Sequence, residues 1–373
     1  MFLHYGFAGL KTKRIVFEDV FTALDSACLA QLKELSAKRR LIEESINDTS
    51  RITEATAREM AGGLTSRNQQ EILRLEQYLP LLQNLIIQID SVSDSRCTNR
   101  WISELRVRWT SILGSSSTFK LNGPKYFQIN SLKYELGMVL FLYGVTLHEL
   151  AFEVLEDLQK SASLLKKSAG VFNYLNTDVL PSLQDILPPE KPPEATANVS
   201  SAMSLFCLAE AQAVAIKMAE KKQMSPALLA KLHYGVTQFL DEACGFLQSG
   251  SRDISEKFMD FIISCRNLHE LRSRRHLAES CKELNQLGVA IGLLNCALNN
   301  KNDMPGNQSW RDVFKSEVTE ISELLKKYNK ENEIVWHEQI PLDFELPPME
   351  GRKIVTTTPY DPERWERQLA FKT

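Results

Sequence analysis

Residues 199–247 constrain the fold most, because they predict two long helices joined by a tight turn. The first helix is apolar nearly all round, which is typical of a helix buried in the middle of a helical array. Ser225 can accept a hydrogen bond from the first free amides of the second helix, and Pro226 suits the first helical position. We therefore expect the second helix to begin at Pro226.

The second helix also has an apolar flank that a partner could use. Its main stripe follows the three-to-four-residue spacing of one helix face: Leu229, Leu232, Val236, Leu240, Ala243 and Leu247. At about 100° per residue, Leu228 lies roughly 80° from the centre of that stripe, beside Leu232 and Phe239. These three residues either widen a buried stripe, the commoner case, or form a half-exposed strip for a partner helix.

The composition is that of an ordinary globular protein, with 373 residues, 43% hydrophobic residues and a net charge of -3. This charge argues against nucleic acid as a main partner. The seven cysteines form no C-x-x-C pair, which favours buried thiols over disulfides or a cysteine zinc site. The sequence shows neither a secretory signal nor a run of about eighteen apolar residues, so we expect a cytoplasmic protein.

The remaining pattern predicts helices separated by short breaks, with the N-terminal segment β-prone at residues 15–17. The helical segments are 22–46, 52–61, 65–90 with an interruption at Pro80, a core helix within 131–165, one ending near 180, 255–283, 285–299 and 310–329. Prolines make 181–193 an exposed loop. From residue 333 onward, apolar residues alternate with prolines, which predicts an extended strap packed along the body.

Motifs for catalysis or metal binding are missing from the sequence. His148-Glu149 and His269-Glu270 lack the second histidine of H-E-x-x-H, so we interpret them as surface or packing residues. Neither a G-x-S-x-G elbow nor a dinucleotide-binding glycine motif occurs. We therefore expect no enzyme, no cofactor, no metal and no small-molecule substrate, although a convergent acid/base pair would be visible only in the folded structure.

One basic cluster stands out in this nearly neutral chain. Arg272, Arg274 and Arg275 lie together, with Lys282 further along the same predicted helix. The default interpretation is a solvated helix face. The alternative is peripheral contact with an anionic membrane, to which each basic residue adds about 1 kcal/mol.

Several stretches together resemble the BRO-one (Alix-type) endosomal-targeting domain, especially its short plant members. The matching residues are Tyr134-Glu135, Val139-Leu140-Phe141, Ser168-Ala-Gly-Val-Phe172, Ser204-Leu-x-x-Leu-Ala-x-Ala-Gln212, Leu228-Leu-Ala-Lys-Leu232, Ile334-Val-Trp-His-Glu-Gln-Ile-Pro341 and Thr358-Pro359. They occur in the right order over roughly residues 100–360. The resemblance implies an all-α, curved, banana-shaped solenoid with tetratricopeptide-like core helices, an extended C-terminal strap and room for a small β element near the N-terminus.

On this basis residues 1–373 form a single domain with a divergent helical part at 1–100, a solenoid core at 101–332 and the strap at 333–373. The resemblance further implies an apolar groove for the C-terminal amphipathic helix of an ESCRT-III subunit. Its two aliphatic positions fall on Leu228 and Leu232, and its aromatic position falls on Ala215, where this chain departs from the family pattern. Losing that ring removes contact worth on the order of 1–3 kcal/mol. Ile216, Met218 and Phe239 are expected to extend the groove.

The implied function is that of a non-catalytic cytoplasmic adaptor, recruited to late endosomes or multivesicular bodies through an ESCRT-III helix or another ESCRT component. It would act in endosomal sorting, multivesicular body formation and vacuolar protein transport. The alternative is a helical scaffold with the same fold that binds an unrelated signalling partner, such as a small GTPase or a kinase. The alanine at position 215 favours that alternative.

Overall fold

The computed structural model describes residues 4–7, 9–47, 66–92, 101, 104–115, 124–250, 253–299, 308–365 and 367–372. Ten α-helices occur in these ranges: α1 Phe17–Val20, α2 Ser26–Asn47, α3 Arg67–Ser91, α4 Leu132–Glu153, α5 Leu158–Tyr174, α6 Ala197–Lys221, α7 Pro226–Gly250, α8 Glu256–Glu283, α9 Leu287–Asn299 and α10 Gln308–Glu331. The helix predicted at 52–61 lies outside the described residues. From α2 to α10 each helix packs against the next, which confirms the predicted helical solenoid.

The small β element is present, but at other residues than those predicted. Strands β1 (Val107–Trp109) and β2 (Phe127–Ile129) pair antiparallel, with Arg108 opposite Gln128. The N-terminal segment contacts this sheet through a bridge from Thr12 to Trp109, and the Thr12 hydroxyl donates to the Arg108 carbonyl at 2.9 Å. The expectation of β structure at 15–17 was wrong because Phe17 begins α1, where its ring is fully buried.

Two helical segments differ from the sequence prediction, one at a proline and one at a break between helices. Helix α3 continues through Pro80 without a break, and this proline and its neighbours are buried, so packing offsets the missing hydrogen bond. The apolar run at 131–165 is divided between α4 and α5. Asp157 caps the start of α5, since its carboxylate accepts hydrogen bonds from the amides of Gln159 and Lys160, at 3.1 and 3.0 Å.

A buried ion pair joins the N-terminal half of the array. Arg39 of α2 and Glu135 of α4 contact each other with both side chains fully buried. Glu135 also accepts a hydrogen bond from the Trp109 indole at 2.7 Å, and Arg39 donates one to Thr12. Because each charge is paired and hydrogen-bonded, this cluster holds α2, α4 and the sheet in one arrangement.

Helices α4 and α6 are long and apolar enough to cross a membrane, which the sequence analysis did not anticipate. In each helix the most apolar window is mostly inside the protein, 89% buried in α4 and 72% in α6. No membrane is needed to account for their hydropathy, because neighbouring helices already cover them.

The C-terminal strap crosses one face of the array, as expected, through main-chain contacts. The Thr358 amide donates to the Lys166 carbonyl of α5 at 3.0 Å, and the Arg352 amide donates to the Lys231 carbonyl of α7 at 2.9 Å. At Gly170 of α5, a Cβ atom would overlap the Thr358 carbonyl. Glycine is therefore required there by the close approach of two backbones.

The apolar residues at the start of the strap do not pack as the sequence predicted. Ile334, Val335, Leu342 and Phe344 are exposed, Phe344 to 81%. Asn332 instead fixes this turn, since its side chain donates to the Glu338 carbonyl at 3.0 Å and accepts from the Glu338 amide at 2.9 Å. Polar contacts, rather than apolar burial, position the strap where it leaves α10.

Candidate partner-helix groove

The hairpin of α6 and α7 has the geometry that its sequence predicts. Helix α7 begins at Pro226, and the Leu228 amide donates to the Ser225 hydroxyl at 3.4 Å. The turn uses Gln223 in the left-handed region, with φ of 52°. Local side-chain chemistry is enough to place this turn because proline and serine act on backbone groups close by in sequence.

The six residues expected to form the groove do not share one accessible surface. Ile216, Leu232 and Phe239 are buried, with 2%, 2% and 4% of their surface exposed. Ala215, Met218 and Leu228 are half-buried. A rigid partner helix could therefore touch only the second set, while the first set supports it from within the core.

The strap already lies beside the buried part of this flank. Gln212 of α6 donates to the Leu232 carbonyl at 2.7 Å and the Arg352 carbonyl at 3.0 Å, and it accepts from the Ile354 amide at 3.0 Å. The Lys353 ammonium lies 4.5 Å from the centre of the Phe239 ring. The chain's own C-terminal segment thus takes the position next to Phe239.

Met224, in the turn between α6 and α7, is a further apolar residue that the sequence analysis missed. It is 43% exposed, four residues before Leu228. An unbranched apolar side chain in an exposed turn is a signal for partner contact, because it adapts to many surfaces. We name the half-buried and exposed residues Ala215, Met218, Met224 and Leu228 the hairpin-tip patch.

The cations of the basic cluster are paired with carboxylates, which argues against the membrane-facing alternative. Arg272 and Arg275 both donate to Glu317 of α10, at 2.9 and 2.8 Å. Arg274 pairs with Glu270 at 2.9 Å, and Lys282 pairs with Glu331 at 2.5 Å. Because each cation has a carboxylate partner, little net charge remains to attract an anionic membrane.

A cavity of about 210 Å³ lies between α6, α7, α8 and α10, and Ile216 and Val236 form part of its lining. His233 and His269 also line it, with their Nδ1 atoms 2.9 Å apart. Burial, followed by the charge of Arg272, lowers the pKa of His269 to about 3. Burial and the neighbouring histidines and arginines lower the pKa of His233 well below its ordinary value. Both imidazoles are therefore neutral at pH 7.

The two His-Glu pairs are packing residues rather than ligands of a zinc-protease helix. His148 is fully buried and bonds to Glu210 at 2.6 Å, while His269 bonds to His233. The thiols of Cys207 and Cys265 are also poor nucleophiles. Six cysteines in the described ranges are free, and burial raises the pKa of Cys207 and of Cys265.

Antiparallel helices stacked in one direction and crossed by an extended strap define a helical solenoid-type domain. Residues 39–372 match the BRO1-like domain, and the chain belongs to that family. Programmed cell death 6-interacting protein of Xenopus laevis is 24% identical over 260 residues, which cover 68% of this chain and 29% of that relative. The chain therefore spans less than a third of that relative's length.

Two solved structures show the same fold. The ALIX BRO1 CHMP4C complex superimposes with a TM-score of 0.67 at 20% identity and covers 94% of each chain. A Bro1 domain structure, solved to explain endosomal targeting by that domain, superimposes with a TM-score of 0.68 at 14% identity. The match covers 94% of this chain and 91% of the Bro1 domain chain. The predicted all-α, curved helical fold is thereby confirmed.

Proposed function

We propose that this protein is a non-catalytic adaptor of the ESCRT pathway that binds an amphipathic helix of an ESCRT-III or associated ESCRT subunit. Membership of the BRO1-like domain family carries the proposal, and the likeness to an ALIX BRO1 domain solved with CHMP4C supports it. In this role the protein is cytoplasmic and is recruited to late endosomes through its partner. It acts in multivesicular body formation and vacuolar protein transport.

The hairpin-tip patch is the surface we assign to the partner helix. Leu228 and Met218 offer half-buried apolar surface, Met224 adds an exposed side chain, and half-buried Ala215 takes the position where the family pattern has a ring. An amphipathic helix can cover such a patch with residues at i, i+3 and i+4. The buried residues Ile216, Leu232 and Phe239 hold the patch in place and are not contacts.

Titration of the full chain against C-terminal helices from a panel of ESCRT-III subunits tests the proposal. We expect micromolar binding, measured by fluorescence anisotropy, that is weakened at least tenfold by Leu228→Asp combined with Met224→Asp. Phe246→Asp is the matched control, because Phe246 is 40% exposed on the same helix but lies outside the patch. Circular dichroism confirms that each variant is folded.

Ala215→Phe provides a gain-of-function arm. Restoring the ring should recover contact worth about 1–3 kcal/mol, which corresponds to a roughly fivefold to 150-fold lower Kd. If neither the wild-type chain nor Ala215→Phe binds any ESCRT-III helix, the scaffold alternative with a small GTPase or kinase partner replaces this proposal. If binding survives the double substitution unchanged, the partner helix lies elsewhere on the domain.

A further inference from the structure

We propose that the protein has a Zn²⁺ site formed by Glu220 of α6, His233 of α7 and His276 of α8. Each residue offers one ligand atom, and the three atoms lie within 4.8 Å of one another. The residues come from three successive helices of the array and are far apart in sequence. For this reason no spacing motif revealed them.

The two imidazoles present nitrogens suited to metal binding. His233 is 1% exposed and His276 is 7% exposed, and the Nε2 atom of each lacks a hydrogen-bond partner in the described part of the chain. A buried nitrogen without a partner costs free energy, and a bound cation would remove that cost. The rings lie nearly parallel, 5.5 Å apart with an interplanar angle of 9°.

Neighbouring residues orient both rings for this role. The Nδ1 atom of His276 lies 2.8 Å from the Glu279 carboxylate, so it carries the proton and leaves the Nε2 lone pair free. The Nδ1 atom of His233 lies 2.9 Å from Nδ1 of His269, which can accept its proton in the same way. Metal-binding histidines in proteins commonly donate their other ring N–H to a carboxylate or another acceptor.

The surrounding charge is compatible with a divalent cation. Arg272 and Arg275 lie near the imidazoles, but both guanidinium groups are turned onto Glu317. Glu220 and Glu279 add two further carboxylates beside the histidines.

Imidazole nitrogens with one carboxylate favour Zn²⁺ among the common biological cations. In a tetrahedral zinc site the ligand atoms lie closer together than 4.8 Å, since each is about 2.0–2.2 Å from the ion. Glu220 can make most of the adjustment, because its side chain is exposed near the C-terminus of α6. The fourth position would open to the cavity, which Glu220 and His233 line. The ion would tie together the ends of α6 and α7 that carry the hairpin-tip patch.

The test uses tag-free full-length protein, freed of metal by a chelator and titrated with ZnCl₂ by calorimetry. We expect one Zn²⁺ per chain with a micromolar or lower Kd. Glu220→Gln should weaken binding at least tenfold and His276→Gln should abolish it, while Glu333→Gln, an exposed carboxylate outside the cluster, should leave it unchanged. Circular dichroism without metal verifies that the variants fold.

Co²⁺ provides a second readout, because a tetrahedral site with two imidazoles gives intense visible absorption that hydrated Co²⁺ lacks. The proposal is overturned if wild-type protein binds no Zn²⁺, or if Glu220→Gln and His276→Gln both bind as tightly as wild type. A loss of binding in His4→Gln alone would also overturn it, since the metal would then lie at the cluster of His4, His148 and Glu149. None of these results depends on whether the chain binds an ESCRT helix.

Discussion

The two faces of the helical array are held by different kinds of interaction. On one face the strap lies against α5 and α7 through main-chain hydrogen bonds, at glycines that let the backbones meet. On the opposite face α10 is fixed by the carboxylate of Glu317, which both Arg272 and Arg275 contact, over a cavity containing histidines. Main-chain contacts tolerate many side chains along the strap but no added Cβ atom at the glycines. Side-chain contacts change when a charge is changed, and they leave polar groups that can bind a ligand.

Gly170→Ala should have the largest effect on the strap face. The new Cβ would overlap the Thr358 carbonyl, and a backbone contact cannot yield as a flexible side chain can. We expect the free energy of unfolding to fall by about 3 kcal/mol, the upper end for overpacking. Urea denaturation measures this loss, and limited proteolysis detects release of the strap.

Gly245→Ala is the matched control for that substitution. A Cβ at this exposed position of α7 meets no atom within 4 Å in the described structure. Alanine should therefore stabilise the protein by about 0.5–1 kcal/mol through its better helix propensity. If Gly170→Ala behaves like Gly245→Ala, the strap is not held against α5 in solution.

Glu317→Gln should be the most damaging charge change on the cavity face. It removes the carboxylate that Arg272 and Arg275 share and leaves two half-buried guanidinium groups without their strongest partner. We expect the free energy of unfolding, measured by urea denaturation, to fall by about 2 kcal/mol. Glu320→Gln, whose carboxylate is 56% exposed and 3.9 Å from Arg275, should cost less than about 0.5 kcal/mol. Equal losses would mean that Glu317 has no special role.

In chelator-treated, metal-free protein, acid should weaken the cavity face through His269. Its pKa is about 3 in the folded protein against an ordinary 6.5, so between these values the unfolded chain binds a proton that the folded chain does not. Stability therefore falls as the pH falls below 6.5, by about 1.4 kcal/mol at pH 5.5 from this group. His233 and His276 face the same region, together with Arg272, and His233 adds to the loss in the same direction.

His269→Asn isolates this contribution. The difference in unfolding free energy between pH 7 and pH 5.5 should shrink by about 1.3 kcal/mol, because asparagine does not titrate. Asn267→Gln, on the same helix, removes no titratable group and should leave the difference as in wild type. A full pH dependence in His269→Asn would assign the acid effect to other groups.

The sequence predicted what depends on neighbours along the chain. Ser225 and Pro226 placed the start of α7 correctly because a helix cap is a local contact. The helical periodicity and the family resemblance gave the array and its strap. The same reasoning assigned no partner to Arg272 and Arg275, because Glu317, which contacts both, lies more than forty residues away along the chain.

The candidate site was predictable only in part for the same physical reason. Helical spacing shows that Leu228, Leu232 and Phe239 share a flank, but not that the strap lies beside Phe239. Exposure of Met224 and burial of Leu232 depend on the tertiary arrangement of α6 and α7. The requirement for glycine under the strap also cannot be predicted from a single sequence, because a close backbone approach leaves no periodic pattern.

Lys353→Ala should give the smallest effect and shows how far side chains assist the strap. The ammonium lies 4.5 Å from the Phe239 ring centre and pairs with Glu242, but the lysine is 31% exposed and Glu242 is 53% exposed. We expect a loss of about 0.5–1 kcal/mol. Lys231→Ala removes the more exposed pair with Glu350 and should change the stability less than Lys353→Ala does.

A double-mutant cycle of Lys353→Ala with Phe239→Leu measures the cation-π contribution alone. A coupling near zero would mean that main-chain contacts alone hold the strap over α7, whereas a coupling above about 1 kcal/mol would make this side chain a second anchor.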